Sequence, residues 1–174
     1  MRSIVFAVLL SAASLYAAGE VTGVNNFHKV NDRIYRGAQP SPAGFRSLAK
    51  FGVKTVIDLR SEGNRRLEKQ QVEASGMRYV GIPMANFGAP TDEQIAKVME
   101  VLEDRGAGPV FIHCRRGADR TGTIVACYRI SKDRWSNDKA LEEARTCGMS
   151  RFERAMQNFV RTYKAQHEPA PSGH

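Results

Sequence analysis

Hydrophobic residues fall into two kinds of stretch along this chain: short unbroken apolar runs that read as buried strands, and stripes at i, i+3 and i+4 that read as helices. Residues 33–36 form the first strand, and Gln39-Pro40 turns the chain after it. Ser41 then caps a helix with Pro42 at its first position, Phe45, Leu48 and Phe51 on one face, and Gly52 at its end. Residues 53–59 read as the clearest interior strand, residues 62–75 as a polar helix closed by Gly76, and residues 77–82 as the next strand. After a loop over 83–90, Thr91 and Gln94 have capping-box spacing and open a helix whose Ile95, Val98, Met99 and Leu102 share a face. Residues 110–112 make the last strand. Helices follow over 121–130, 137–147 and 151–163, the last with Phe152, Met156, Phe159 and Val160 turned inward, and Trp135 packs over the core. This order predicts an α/β domain: a central, mostly parallel sheet of four to five strands flanked by helices. In such sheets ligands sit beyond the C-terminal strand ends.

The two ends of the chain break the pattern. Arg2 precedes an apolar run from Ile4 to Ala18 that ends in Ala17-Ala18-Gly19. That is the pattern of a secretory signal peptide over residues 1–19, cleaved after Gly19, with an uncleaved anchor as the alternative. No second apolar stretch of ~18 residues follows, so no stable membrane insertion is expected after cleavage. Residues 20–166 then form one domain and residues 167–174 a frayed tail, and the protein is expected to be a periplasmic or secreted monomer. The cysteines Cys114, Cys127 and Cys147 are an odd number for an exported chain. Cys127 and Cys147 are placed either to pair or to remain separate buried thiols.

The net charge is +8, and loss of residues 1–19 removes one cation, Arg2. A basic balance favours anionic substrates. Nucleic acid is not expected, since no helix-turn-helix, zinc or aromatic-platform pattern accompanies the charge. His28, His167 and His174 have no partner at ligand spacing, and the histidines make no recognisable metal site with Cys114, so neither metal nor other cofactor is expected.

The chemistry concentrates in Val110-Phe-Ile-His-Cys-Arg-Arg-Gly-Ala-Asp-Arg-Thr-Gly122, a strand, a loop over 114–120 and a helix start. A loop that ends at a helix N-terminus offers free backbone N–H groups and the positive end of the helix dipole, which together make an anion site. Gly117 permits backbone angles or a close ligand approach that a side chain would block. Arg120 can clamp two phosphate oxygens with its planar fork. Arg115, Arg116, Gly117, Ala118, Asp119 and Arg120 are thus the expected phosphate-binding set. Cys114 lies inside this set. A free thiol with a pKa near ~8.5 is about 3% thiolate at pH 7, and such surroundings raise that fraction. A thiolate beneath a phosphate cradle suits in-line attack on phosphorus, giving a phosphocysteine that water hydrolyses. The Thr121 hydroxyl, near the sulfur, would stabilise the thiolate as leaving group in the second step.

His113-Cys114, five residues, then Arg120-Thr121 resembles the signature of the cysteine-dependent protein tyrosine phosphatase superfamily, and the late position of the loop resembles its dual-specificity branch. Ile34-Tyr-Arg-Gly-Ala-Gln-Pro40 and Val53-Lys-Thr-Val-Ile-Asp-Leu-Arg60 are similar to segments of bacterial, plant and fungal atypical dual-specificity phosphatases. Residues 113–144 most resemble periplasmic members from Gram-negative bacteria. The resemblance spans residues 26–163 and implies a dual-specificity phosphatase-like fold, Cys114 as nucleophile and Arg120 as phosphate clamp. It also implies a general acid on a separate upstream loop, and the corresponding segment, residues 84–88, contains no carboxylate. Asp92, which lies 22 residues before Cys114 and also suits a helix first turn, is one replacement. Asp119 inside the loop is the other, and is favoured. Its spacing is similar to that of myotubularin-type phosphoinositide phosphatases, where the loop aspartate has that role. Asp58 is expected to bond nearby backbone rather than to take part.

These observations predict an exported enzyme that hydrolyses phosphate monoesters, either phosphotyrosine, phosphoserine and phosphothreonine proteins or inositol phosphates. The pair Arg115 and Arg116 would suit a substrate with several phosphates. A binding module without turnover is the alternative from a different class, motivated by the missing upstream acid. A rhodanese-type sulfur carrier is a more distant one.

Overall fold

The computed structural model describes residues 21–165, so the expected signal peptide and tail lie outside the described residues. The elements in order are β1 (His28–Lys29), β2 (Ile34–Ala38), α1 (Pro42–Phe51), β3 (Thr55–Arg60), α2 (Arg65–Ala74), β4 (Arg78–Met84), α3 (Asp92–Glu103), a 3₁₀ turn (Arg105–Ala107), β5 (Val110–Cys114), α4 (Asp119–Ser131), α5 (Asn137–Thr146) and α6 (Arg154–Thr162). The sheet runs β1-β2-β5-β3-β4. Only the β1–β2 pair at one edge is antiparallel.

The strands alternate faces with period two, and the two faces become two cores. Val56 of β3 and Phe111 of β5 point toward α1 and α2, where Phe45, Leu48 and Val72 meet them. Ile57, Leu59 and Ile112 point the other way and pack with Ile95, Val98 and Leu102 of α3 and Ile124 and Val125 of α4. On the outer side of α4, Ala126 packs with Ala140, Leu141 and Ala144 of α5 and Val160 of α6. A helix enclosed on every side carries apolar residues all round, and Ile124 to Cys127 are each 1% exposed or less.

Local signals set the ends. Ser41, Asn64, Thr91 and Ser136 accept backbone N–H bonds at the starts of α1, α2, α3 and α5, and Thr91 with Gln94 completes the expected capping box. Several boundaries differ from the sequence reading. The strand expected over 110–112 runs on to Cys114, and α4 begins at Asp119, so Asp119 and Arg120 belong to the first turn of a helix. The strand expected to end at residue 82 extends to Met84. The last helix starts at Arg154, leaving Phe152 outside it and 76% exposed rather than inward. Trp135 packs against the α4–α5–α6 cluster, with Arg129 and Lys139 over its ring. All three cysteines are free and buried. Among the described residues no helix is long and apolar enough to cross a membrane.

Candidate active site

β5 is flanked on both sides by parallel neighbours, so its C-terminal end opens at the middle of the sheet. Cys114 is the last residue of that strand, 2% exposed. The chain then turns through Gly117 at φ +68°. A Cβ there would lie 2.2 Å from the backbone carbon of Gly37, so the loop can lie against β2 only with glycine at this position.

The loop carbonyls are tied down from behind. The Gln39 backbone N–H donates to Arg115 O at 3.3 Å. Asn26 Nδ2 donates to Arg116 O, Gly117 O and Cys147 O at 3.3, 3.2 and 2.9 Å. The buried Arg36 guanidinium donates to Gly117 O at 2.8 Å. In a trans peptide the N–H points opposite to the carbonyl it adjoins. Drawing these three carbonyls outward therefore aims the amides of Arg116, Gly117 and Ala118 into the loop. α4 adds its own first-turn amides: its N-cap, Ala118, has no side chain to cap them. Together these N–H groups offer the kind of arrangement that suits an anion.

Arg120 completes the cradle from the first turn of α4. Its Nη1 and Nη2 each donate to one oxygen of Glu62 at 2.8 Å. This end-on grip leaves Nε and the remaining N–H groups for a second anion. The Arg120 hydrogen bonds hold the Glu62 carboxyl well below the usual range, at about 2. Asp119 is nearly buried, with one oxygen accepting the Ser150 backbone N–H at 2.8 Å and the other accepting Arg116 Nη2 at 2.6 Å.

Behind Cys114 lies a buried polar network assembled from β3, β4, β5, α2 and the turn after β2. His113 places Nε2 3.0 Å from Glu68 Oε1 and Nδ1 3.3 Å from Cys114 O. Arg60 bonds both Glu68 and Asp58, Gln39 donates to Glu68, and Tyr79 donates to Asp58 at 2.8 Å. Burial alone would raise the Asp58 carboxyl, but the Arg60 bonds outweigh it and hold it below its ordinary range. Burial and the bond to Asp58 push the Tyr79 hydroxyl up to about 12. Asp58, Glu68 and His113 bring ligand-type atoms within 4.8 Å of one another. The Arg60 guanidinium already supplies the positive charge between the two carboxylates. Asp58 does accept the Arg60 backbone N–H, as expected, but its main role is within this network.

Cys114, Arg115, Arg116, Asp119 and Arg120 line one cleft of about 300 Å³ with Glu62, Asn86, Phe87 and Glu153. The expected phosphate-binding residues thus come together, with Gly117 and Ala118 forming the loop itself. Thr121 is fully buried one residue beyond Arg120, and its hydroxyl has no hydrogen-bond partner among the described residues. Asp92 is exposed in the first turn of α3 and is not part of the cleft lining. Glu62, Asn86, Phe87 and Glu153 were missed. Glu62 and the Asn86-Phe87 pair each follow the end of a parallel strand, a placement that could have flagged them. Glu153 carried no such signal.

A buried cysteine at the end of a central parallel strand, cradled by a glycine-turned loop and an arginine on the following helix, defines a cysteine-dependent phosphatase of the dual-specificity and protein tyrosine type. Residues 15–162 match the model of the family described as DSP-PTPase phosphatase fused to NAD+ kinase, and the chain belongs to that family. It is 27% identical over 142 residues to the inositol diphosphatase DSP4 of Arabidopsis thaliana, covering 79% of this chain and 71% of that protein. It is 28% identical over 123 residues to the dual specificity protein phosphatase TpbA of Pseudomonas aeruginosa, covering 71% of this chain but only 55% of that one. Among solved structures, the core catalytic domain of the PP-IP phosphatase SIW14 from S. cerevisiae superposes with a TM-score of 0.73 at 25% identity, over 83% of this chain and 89% of that one.

Proposed function

We propose that this phosphatase is exported and hydrolyses phosphate monoesters through a phosphocysteine on Cys114. The observation that carries this reading is the cradle: inward amides, an arginine held end-on, and a thiol at its floor. The substrate phosphoryl group sits on the loop amides and the free edge of Arg120, and Sγ attacks phosphorus in line. The unpartnered Thr121 hydroxyl is available to the sulfur when it leaves in the second step. Export rests on the amino-terminal pattern of Arg2, an apolar run and small residues.

The rim supports an ester carried on an aromatic group, such as phosphotyrosine. Phe87 lines the cleft while 78% exposed, a ring with no core to fill. The lining sets Arg115, Arg116 and Arg120 against Glu62, Asp119 and Glu153, a balance that a single phosphate dianion tolerates better than a crowd of phosphates. Inositol phosphates are the second reading, favoured by the two exposed arginines of the loop and by the printed names of DSP4 and SIW14.

The test is a panel of phosphotyrosyl and phosphoseryl peptides, inositol phosphates and an aryl phosphate, run with chelator on wild type and Cys114→Ser. Turnover that vanishes in the variant supports the reading. Equal turnover in both, or tight binding of a phosphorylated ligand without phosphate release at any pH, contradicts it.

A further inference from the structure

Displacement of an alkoxide or phenoxide from phosphorus needs a proton for the leaving oxygen, usually worth about 10² to 10⁴ in rate. Three carboxylates line the cleft: Glu62, Asp119 and Glu153. Glu62 gives both oxygens to Arg120 and is held at about 2, so at neutral pH it has no proton to give. Asp119 faces an N–H donor with each oxygen, the Ser150 amide on one side and Arg116 on the other. Protonating either oxygen would weaken a bond that the carboxylate accepts at 2.8 or 2.6 Å.

Glu153 differs from both. It precedes α6, is half-buried, and makes no side-chain capping bond. Among the described residues no hydrogen bond or ion pair engages its carboxylate, although it lines the same cleft as Cys114. The turn that carries it is anchored to the phosphate loop, because Asp119 accepts from Ser150 N while Ser150 O accepts from Glu153 N and Gln157 Nε2. Asp119 thereby becomes a positioning residue for Glu153.

We propose that Glu153 is the proton-transfer residue of this active site. Resting on the phosphatase reading above, the steps are as follows. Cys114 Sγ forms a bond to phosphorus, the bond from phosphorus to the ester oxygen breaks, and its electron pair takes the proton of the Glu153 carboxyl. Water then attacks the phosphocysteine and yields a proton to the Glu153 carboxylate. The sulfur–phosphorus bond breaks with its electron pair returning to Sγ, and the enzyme is restored.

The test compares Glu153→Gln, Glu153→Ala and Asp119→Asn with wild type on p-nitrophenyl phosphate and on an alkyl phosphate. Both Glu153 variants should lower kcat/KM for the alkyl ester by about 10² or more and leave that of the activated aryl ester within a few-fold. Their kcat on the aryl ester should fall, with a burst of nitrophenol as phosphocysteine accumulates. Asp119→Asn keeps an oxygen for the Ser150 amide and should show no such leaving-group dependence. Leaving-group-dependent loss in Asp119→Asn instead, or uniform or absent effects in the Glu153 variants, overturns the assignment. Failure of wild type to release phosphate from either ester would overturn the phosphatase reading itself, and the assignment with it.

Discussion

Replacing Glu62 with glutamine tests how Arg120 is held. The carboxylate accepts two charge-assisted bonds of 2.8 Å from the two terminal nitrogens of Arg120. Glutamine keeps one acceptor and turns an N–H₂ donor toward the other arginine nitrogen. The Arg120 side chain is 8% exposed and that of Glu62 29%. Breaking a fully buried pair costs roughly 3–5 kcal/mol and an exposed one roughly 0–1. For a pair with one wet partner, about 1–2 kcal/mol is the appropriate scale. The sign with pH follows from Glu62 being lowered from 4.5 to about 2 in the folded state. Its contribution is fully present above 4.5 and is lost as pH falls toward about 2. Urea unfolding of wild type and Glu62→Gln at a series of pH values should therefore show a gap that is constant near neutrality and closes in acid. Activity should fall by about tenfold for every phosphate ester regardless of its leaving group, since the clamp acts on the phosphoryl oxygens. A stability gap independent of pH, or unchanged kcat/KM, would refute the reasoning.

Three further outcomes follow from the same geometry. Gly117→Ala must place a Cβ at φ +68° and 2.2 Å from Gly37, so turnover should drop by about 10² or more and the melting temperature should fall; full activity would mean that the loop is not pressed against β2. Arg36→Met keeps the volume of a side chain 1% exposed but removes the donor to Gly117 O. It should raise KM several-fold with little change in unfolding free energy, because losing a buried charge offsets the lost bond; unchanged KM would remove Arg36 from the account. Burial pushes the Cys127 thiol well above its ordinary range, so mass spectrometry after native alkylation should find it unlabelled, and labelled only in denaturant.

The parts of this fold that depend on neighbouring residues in the chain were legible in the sequence. Ser41-Pro42, Gly52 and the Thr91–Gln94 box carry their own backbone chemistry, and the structure places the helix starts where they indicate. The loop from Cys114 to Arg120 was equally legible as a motif because its residues are contiguous, whereas the groups that hold its carbonyls, Asn26, Arg36 and Gln39, come from far upstream. What depends on distant segments was not. Glu62 meets Arg120 across 58 residues, and the Asp58–Arg60–Glu68–His113 network is closed only by sheet pairing of β3 beside β5 and by packing of α2. Phe152 was placed inward by a helical stripe that continues one turn too far; the backbone before Arg154 is a turn, and the ring faces solvent. Asp119 stood out by its type and position, but its two partners, one of them the amide of Ser150, were invisible without the structure.

The most direct test of the central claim is chemical capture of the intermediate. The enzyme is mixed with excess p-nitrophenyl phosphate, quenched in acid within the first turnovers, digested, and mapped by mass spectrometry. One phosphoryl group is expected on the peptide containing Cys114, bound through sulfur, enriched in Glu153→Gln and absent in Cys114→Ser. Steady turnover with no phosphate on Cys114 in either wild type or Glu153→Gln, or phosphate on another residue that persists in Cys114→Ser, would contradict a phosphocysteine mechanism.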